Sequence, residues 1–125
     1  MPGWERSFEL ALTLEAMVAE ASERAKSSDV VKAAWDDWSA CMAAEGYDFG
    51  NPWAPFHSVW PGSEPGEEEI AIATADVVCK QSDDVLERWS QETARLQQEL
   101  LDENPGVLEE WLSIRLEWLD QIGDG

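Results

Sequence analysis

Four glycines and four prolines crowd into residues 46–66: Gly46, Gly50, Pro52, Pro55, Pro61, Gly62, Pro65 and Gly66. Proline fixes φ and removes a backbone donor, and glycine loses the most conformational freedom on ordering, so neither a continuous helix nor a central strand can cross this segment. It reads as a long loop, and regular structure must come from the two stretches it separates. At about 21 residues it exceeds the roughly 12–15 beyond which structureless loops are uncommon and usually functional or disordered. Tyr47, Phe49, Trp53, Phe56 and Trp60 lie in it, five of the twelve aromatic residues of the chain. Such aromatic content disfavours disorder.

Both flanking stretches carry helical periodicity. From Trp4 to about Lys26, Phe8, Leu12, Met17, Val18, Ala21 and Ala25 recur at spacings near three and four, with acids between them. Ser27 and Ser28 interrupt that pattern, and Asp29 suits the N-cap of a second helix with an apolar stripe of Val31, Ala34, Trp35, Trp38, Cys41 and Met42. Gly46 is its stop. Beyond the loop, Glu67, Glu68 and Glu69 complement the positive end of a third helix, which can run to Glu103. Ile72, Cys79, Leu86, Thr93 and Leu100 repeat at seven along it, Ile70, Val77, Val78, Val85, Trp89 and Leu96 widen the stripe, and the polar run 80–84 offers a kink. Asn104 and Pro105 read as N-cap and first position of a fourth helix, with Val107, Leu108, Trp111, Leu112, Arg115, Trp118, Leu119 and Ile122 on its buried side and Gly123 at its end. No stretch of useful length alternates at period two. The expectation is an all-α, single-domain bundle of about four helices over residues 1–125, with the long loop between helices two and three.

Length agrees with a single core, since 125 residues lie within the usual size of one domain. Charge narrows the partners. With 27 acidic residues against 8 basic ones, a net charge of −19 repels nucleic acid and anionic lipid. A hydrophobic content of 44% is nevertheless enough to fold. No apolar run approaches the roughly 18 residues of a membrane-spanning helix, and Glu5, Arg6, Glu9, Glu15 and Glu20 interrupt the region where a signal peptide is uniformly apolar.

Catalytic chemistry finds few carriers. His57 is the one histidine, so no nucleophilic triad can be assembled. Among 27 carboxylates, pairs such as Asp36-Asp37 and Asp83-Asp84 are expected by chance and read as solvated surface acids. Cys41, Cys79 and His57 lack the close spacing of a metal site, and no calcium-binding loop is present. Asp76 one turn before Lys80 reads as a helical ion pair. A non-enzyme without cofactor or metal is expected. Cys41 and Cys79 lie on the inner faces of successive helices, as a disulfide or as two buried thiols, and spacing alone leaves both open. A bridge would close a loop of about 39 residues, worth roughly 4 kcal/mol in the chain-entropy model, and would tether both ends of the aromatic loop.

Trp38-Ser39-Ala40-Cys41-Met42, then Gly46-Tyr47 and Pro52, then Glu69-Ile70-Ala71 and Ala75-Asp76-Val77-Val78-Cys79, together resemble small exported lipoproteins of actinobacteria. Some of that group are lantibiotic-immunity lipoproteins, which intercept the producer's own peptide at the membrane face. The resemblance spans roughly residues 35–90. It implies export, a lipid anchor on the outer face of the cytoplasmic membrane, and a Cys41–Cys79 bridge. Neither a signal peptide nor a lipid-accepting cysteine occurs among the first residues, so the anchor is expected upstream of Met1.

Between Lys32 and Lys80 there is no Lys or Arg, whereas Asp36, Asp37, Glu45, Asp48, Glu64, Glu67, Glu68, Glu69 and Asp76 are acidic. Aromatic faces amid negative charge suit an amphiphilic cation through apolar burial, cation–π contact and electrostatic steering. A cationic peptide antibiotic is therefore the expected ligand, with Tyr47, Asp48, Phe49, Trp53, Phe56 and Trp60 as its contact residues. The alternative for any one of these aromatics is to fold back and cap the core. A monomer is expected. The rival reading is a cell-envelope scaffold or accessory subunit that docks an ABC transporter or another protein through its helices.

Overall fold

The computed structural model describes residues 2–57 and 64–123, the side chains of Phe56 and His57 excepted. Among them the fold is all-α and without strand: α1 (Trp4–Ser27), α2 (Asp29–Ala44), a 3-10 turn (Ala54–His57), α3 (Glu67–Ser82), α4 (Val85–Glu103) and α5 (Val107–Gly123). There are five α-helices among the described residues where about four were expected, because the stretch from Glu67 to Glu103 is broken rather than kinked. Asp84 adopts a φ of +52°, a left-handed conformation that a short polar side chain tolerates better than most. The Asp84 amide donates to the Gln81 carbonyl, and the Asp84 carbonyl accepts from Arg88 to begin α4. At the break Val85 takes the inside place that the sevenfold repeat gave to Leu86: Val85 is fully buried and Leu86 is 55% exposed.

Two further helix ends differ from the expectation. Ser28, not Asp29, caps α2, its Oγ accepting from the Val30 amide at 3.3 Å, which leaves Asp29 to complement the dipole in the first turn. Asn104 does not cap α5. Its side chain turns back to donate to the Leu100 carbonyl at 2.8 Å, and Gly106, at φ +90°, supplies the carbonyl that accepts from Glu110.

The chain forms two compact units, Lys26–Glu92 and the pairing of Met1–Ala25 with Thr93–Gly125. In Lys26–Glu92 a core of Ala34, Trp38, Met42, Ile72, Ala75, Cys79 and Val85 is built between α2 and α3. A Cys41–Cys79 disulfide joins those helices, with Cα atoms 5.6 Å apart. The Trp38 indole donates to Asp76 Oδ1 at 2.9 Å, and Lys80 Nζ lies 3.0 Å from Asp76 Oδ2. One carboxylate thereby satisfies a buried indole and a sheltered ammonium.

In the other unit, Ser7, Leu10, Met17, Ala21, Ala25, Leu96 and Leu100 are buried. Phe8, Leu12 and Val18, expected inside, are exposed. The α1 seam follows a narrow heptad line containing small residues, not the line of its bulkiest side chains. No residue of α5 is fully buried: Val107, Leu108, Trp111 and Trp118 are half-buried, while Leu112, Arg115, Leu119 and Ile122 are exposed. The N-terminus is tied to α5 by an Arg6 Nε to Glu110 hydrogen bond of 2.6 Å and by the Trp118 indole, which donates to the Pro2 carbonyl. Arg115 lies over the rings of both Trp111 and Trp118. The hydrogen bond to Glu110, with a smaller contribution from Glu9, pushes the Arg6 guanidinium pKa above its already high ordinary value, so its charge is constant over any working pH.

Candidate functional site

The aromatic loop leaves α2 through a turn that its own sequence specifies. Gly46 sits at φ +93°, which glycine alone adopts without cost from a Cβ. Its amide donates to the Ala43 carbonyl, and the Tyr47 amide donates to Met42, the paired bonds of a Schellman motif. Tyr47 is thereby returned against the core, the hydrophobic contact that usually accompanies this cap. Two residues on, the Ser39 hydroxyl donates to the Phe49 carbonyl at 2.6 Å. The Phe49 ring packs on the core with its centroid 6.5 Å from that of Trp38. Asn51 then organises the next turn, its Oδ1 accepting from the amides of Trp53 and Ala54 at 3.0 and 3.1 Å.

Trp53 closes a three-indole cluster. Ring centroids lie 4.8 Å from Trp53 to Trp35, 4.7 Å from Trp53 to Trp89 and 5.4 Å from Trp35 to Trp89, all edge to face. This geometry aligns positive ring edges with negative ring faces. The Lys26 ammonium lies 5.4 Å from the Trp53 ring centroid, within cation–π range. Trp35 Nε1 is buried and meets no acceptor among the described residues. A buried donor left unpaired costs about 1–3 kcal/mol, so an acceptor such as a peptide carbonyl would gain from reaching it.

The expected contact residues are thus placed unequally. Tyr47, Phe49 and Trp53 are half-buried and turned onto helices, and Asp48 is exposed with no ion-pair partner among the described residues. Phe56 lies in the 3-10 turn, its side chain outside what is described, and Trp60 lies outside the described residues. Two acids of the Lys/Arg-free stretch acquire partners from beyond it: Asp37 meets Arg88 at 2.8 Å and Asp76 meets Lys80. From the sequence Trp35 and Trp89 read only as helix-stripe positions, and neither Lys26 nor Asn51 stands out as a site residue. Trp89 lies inside the α4 stripe of Val85, Leu96 and Leu100, so periodicity carries no signal of its contact with the loop.

The disulfide closes the segment that contains the whole loop, with Cys41 in the last turn of α2 before the loop and Cys79 about three turns along α3 beyond it. No group of three or more His, Cys, Asp or Glu side chains is arranged to hold a metal ion among the described residues. No described helix is long and apolar enough to cross a membrane. No family model matches the chain, and no curated protein and no solved structure matches it either.

Proposed function

We propose that the chain is a binding protein without catalytic turnover, which sequesters a cationic amphiphilic peptide antibiotic in the manner of lantibiotic self-immunity lipoproteins. In this reading it is an exported monomer held by a lipid anchor on the outer face of the cytoplasmic membrane, where an ABC transporter can act beside it. The observation that carries the reading is the Trp35, Trp53 and Trp89 cluster, which already accepts one ammonium at Trp53, the ring contributed by a loop free of Lys and Arg. Half-buried indoles offer area at little entropic cost, and Asp48 adds a charge that steers cations.

Titration with a cationic lantibiotic, followed by tryptophan fluorescence, tests it. A saturable change is expected, weakening as salt rises, with a several-fold loss of affinity in Trp53→Phe and a slower association in Asp48→Asn. Absence of saturable binding, or equal affinity in Trp53→Phe, would refute it.

One observation favours a scaffold reading instead. Leu112, Leu116, Leu119 and Ile122 are all exposed on α5, a stripe of the kind that docks another helix. Co-purification of a single protein partner, lost on placing serine at Leu116 and Leu119, together with no peptide binding, would decide for it.

A further inference from the structure

α3 is apolar on two opposite faces. Ile72, Ala75 and Cys79 enter the core, yet Ile70, Val77 and Val78 are each more than half exposed. With Ala73 and Thr74 these three cover about 140° of the helix circumference at 3.6 residues per turn. On a surface helix the face opposite the core stripe is ordinarily polar. Here the outer face, with Pro65 and Glu69, lines an open groove of about 530 Å³, within the roughly 300–1,000 Å³ of ligand sites. Single exposed hydrophobics need no explanation, but a contiguous row in a groove does.

Charge selects the occupant. α3 opens with Glu67, Glu68 and Glu69, whose three negative charges outweigh the roughly half positive charge of a helix N-terminus. No Lys or Arg lies between Lys32 and Lys80, and Lys80 is engaged by Asp76. The groove is therefore apolar along its length and negative at one end. Such a surface repels anionic lipid, and also a second copy of a chain carrying −19.

We infer that the outer face of α3 docks a cationic amphipathic peptide, which seats apolar side chains spaced at i, i+3 or i+4 and i+7 on Ile70, Val77 and Val78 and sets its Lys or Arg residues at the Glu67–Glu69 end. The inference rests on the proposed function for its ligand class, and on α3 alone for the site.

The test uses a synthetic amphipathic peptide of leucine and lysine, roughly 14 residues or four turns long, titrated into isotope-labelled protein. Amide shifts should centre on 67–78. Ile70→Ser combined with Val77→Ser should weaken binding at least about tenfold, since two aliphatic side chains lose their burial. These residues are exposed, so helix content and the disulfide should be retained. Glu67→Gln combined with Glu69→Gln should weaken binding several-fold and flatten its salt dependence. Three results overturn the inference: no saturable binding of this peptide, shifts confined to 47–53 with the serine variant binding as wild type, or a dimer that the serine pair dissociates. The second of these leaves the proposed function standing. Conversely, shifts at Ile70, Val77 and Val78, with no effect of a lantibiotic on Trp53, would uphold the α3 site and remove the loop reading.

Discussion

Lys26–Glu92 and the unit of Met1–Ala25 with Thr93–Gly125 are both helical, yet different forces hold them. Of the largest fully buried side chains, Trp38, Met42, Val31, Val85 and Cys79 belong to the first and only Ser7 to the second. The first also carries the disulfide and the Trp38–Asp76–Lys80 network. The second relies on a thin seam of Leu10, Met17, Leu96 and Leu100, on exposed ion pairs such as Arg24 with Glu20, and on the Trp111–Arg115–Trp118 stack. Exposed ion pairs contribute little, so stability should be concentrated where the aromatic loop is mounted. A fixed mount matters for binding, because a preordered surface loses less entropy when a ligand arrives.

Trp38→Ala tests this concentration most severely. Removing a fully buried indole should cost about 3–5 kcal/mol, and Asp76 would also lose the donor at its Oδ1. Chemical denaturation should show the loss as a lower midpoint. A change well below 1 kcal/mol would mean that the α2–α3 core is not the stabilising centre. Replacing Cys41 and Cys79 together by alanine should rank next, at about 2–4 kcal/mol. Intact mass should rise by two hydrogens on reduction of the wild type. Two alkylatable thiols in unreduced, denatured protein would exclude the bridge. Trp53→Ala should follow at about 2 kcal/mol, since its half-buried ring loses two aromatic neighbours. That cost is why Trp53→Phe is the better probe of ligand contact.

The same contrast governs what could be read from the sequence. Within Lys26–Glu92, Val31, Ala34, Trp38 and Met42 form a complete stripe between a clear start and a glycine stop, and all four are buried. In α1 the bulky and small apolar residues lie on neighbouring lines, and hydropathy alone selected Phe8 and Leu12 over Ser7 and Leu10. The break at Asp84 is one residue's left-handed conformation, and because Val85 and Leu86 are both apolar the repeat can be continued through either of them. Asn104 could serve either neighbouring helix, and the choice depended on the Leu100 carbonyl. The loop aromatics stood out by composition, but a loop has no period to say which way a side chain faces. Trp35 and Trp89 escaped as partners of Trp53 because periodicity reports neighbours on one helix and not contacts brought by a distant turn.

The smallest expected effect is the one that most sharpens the contrast. Leu119→Ser changes an α5 residue that is 62% exposed, in a helix without a fully buried residue. If that face meets only solvent, the substitution removes little buried area and stability should change by less than about 0.5 kcal/mol. Serine's slightly lower helix propensity accounts for a few tenths of this. Denaturation at two protein concentrations separates the remaining cases. A loss above about 1 kcal/mol that grows with protein concentration would show that α5 is covered by a second copy, because association stabilises by mass action. The same loss without concentration dependence would show that Leu119 is buried within the chain in solution, and would close much of the difference between the two units.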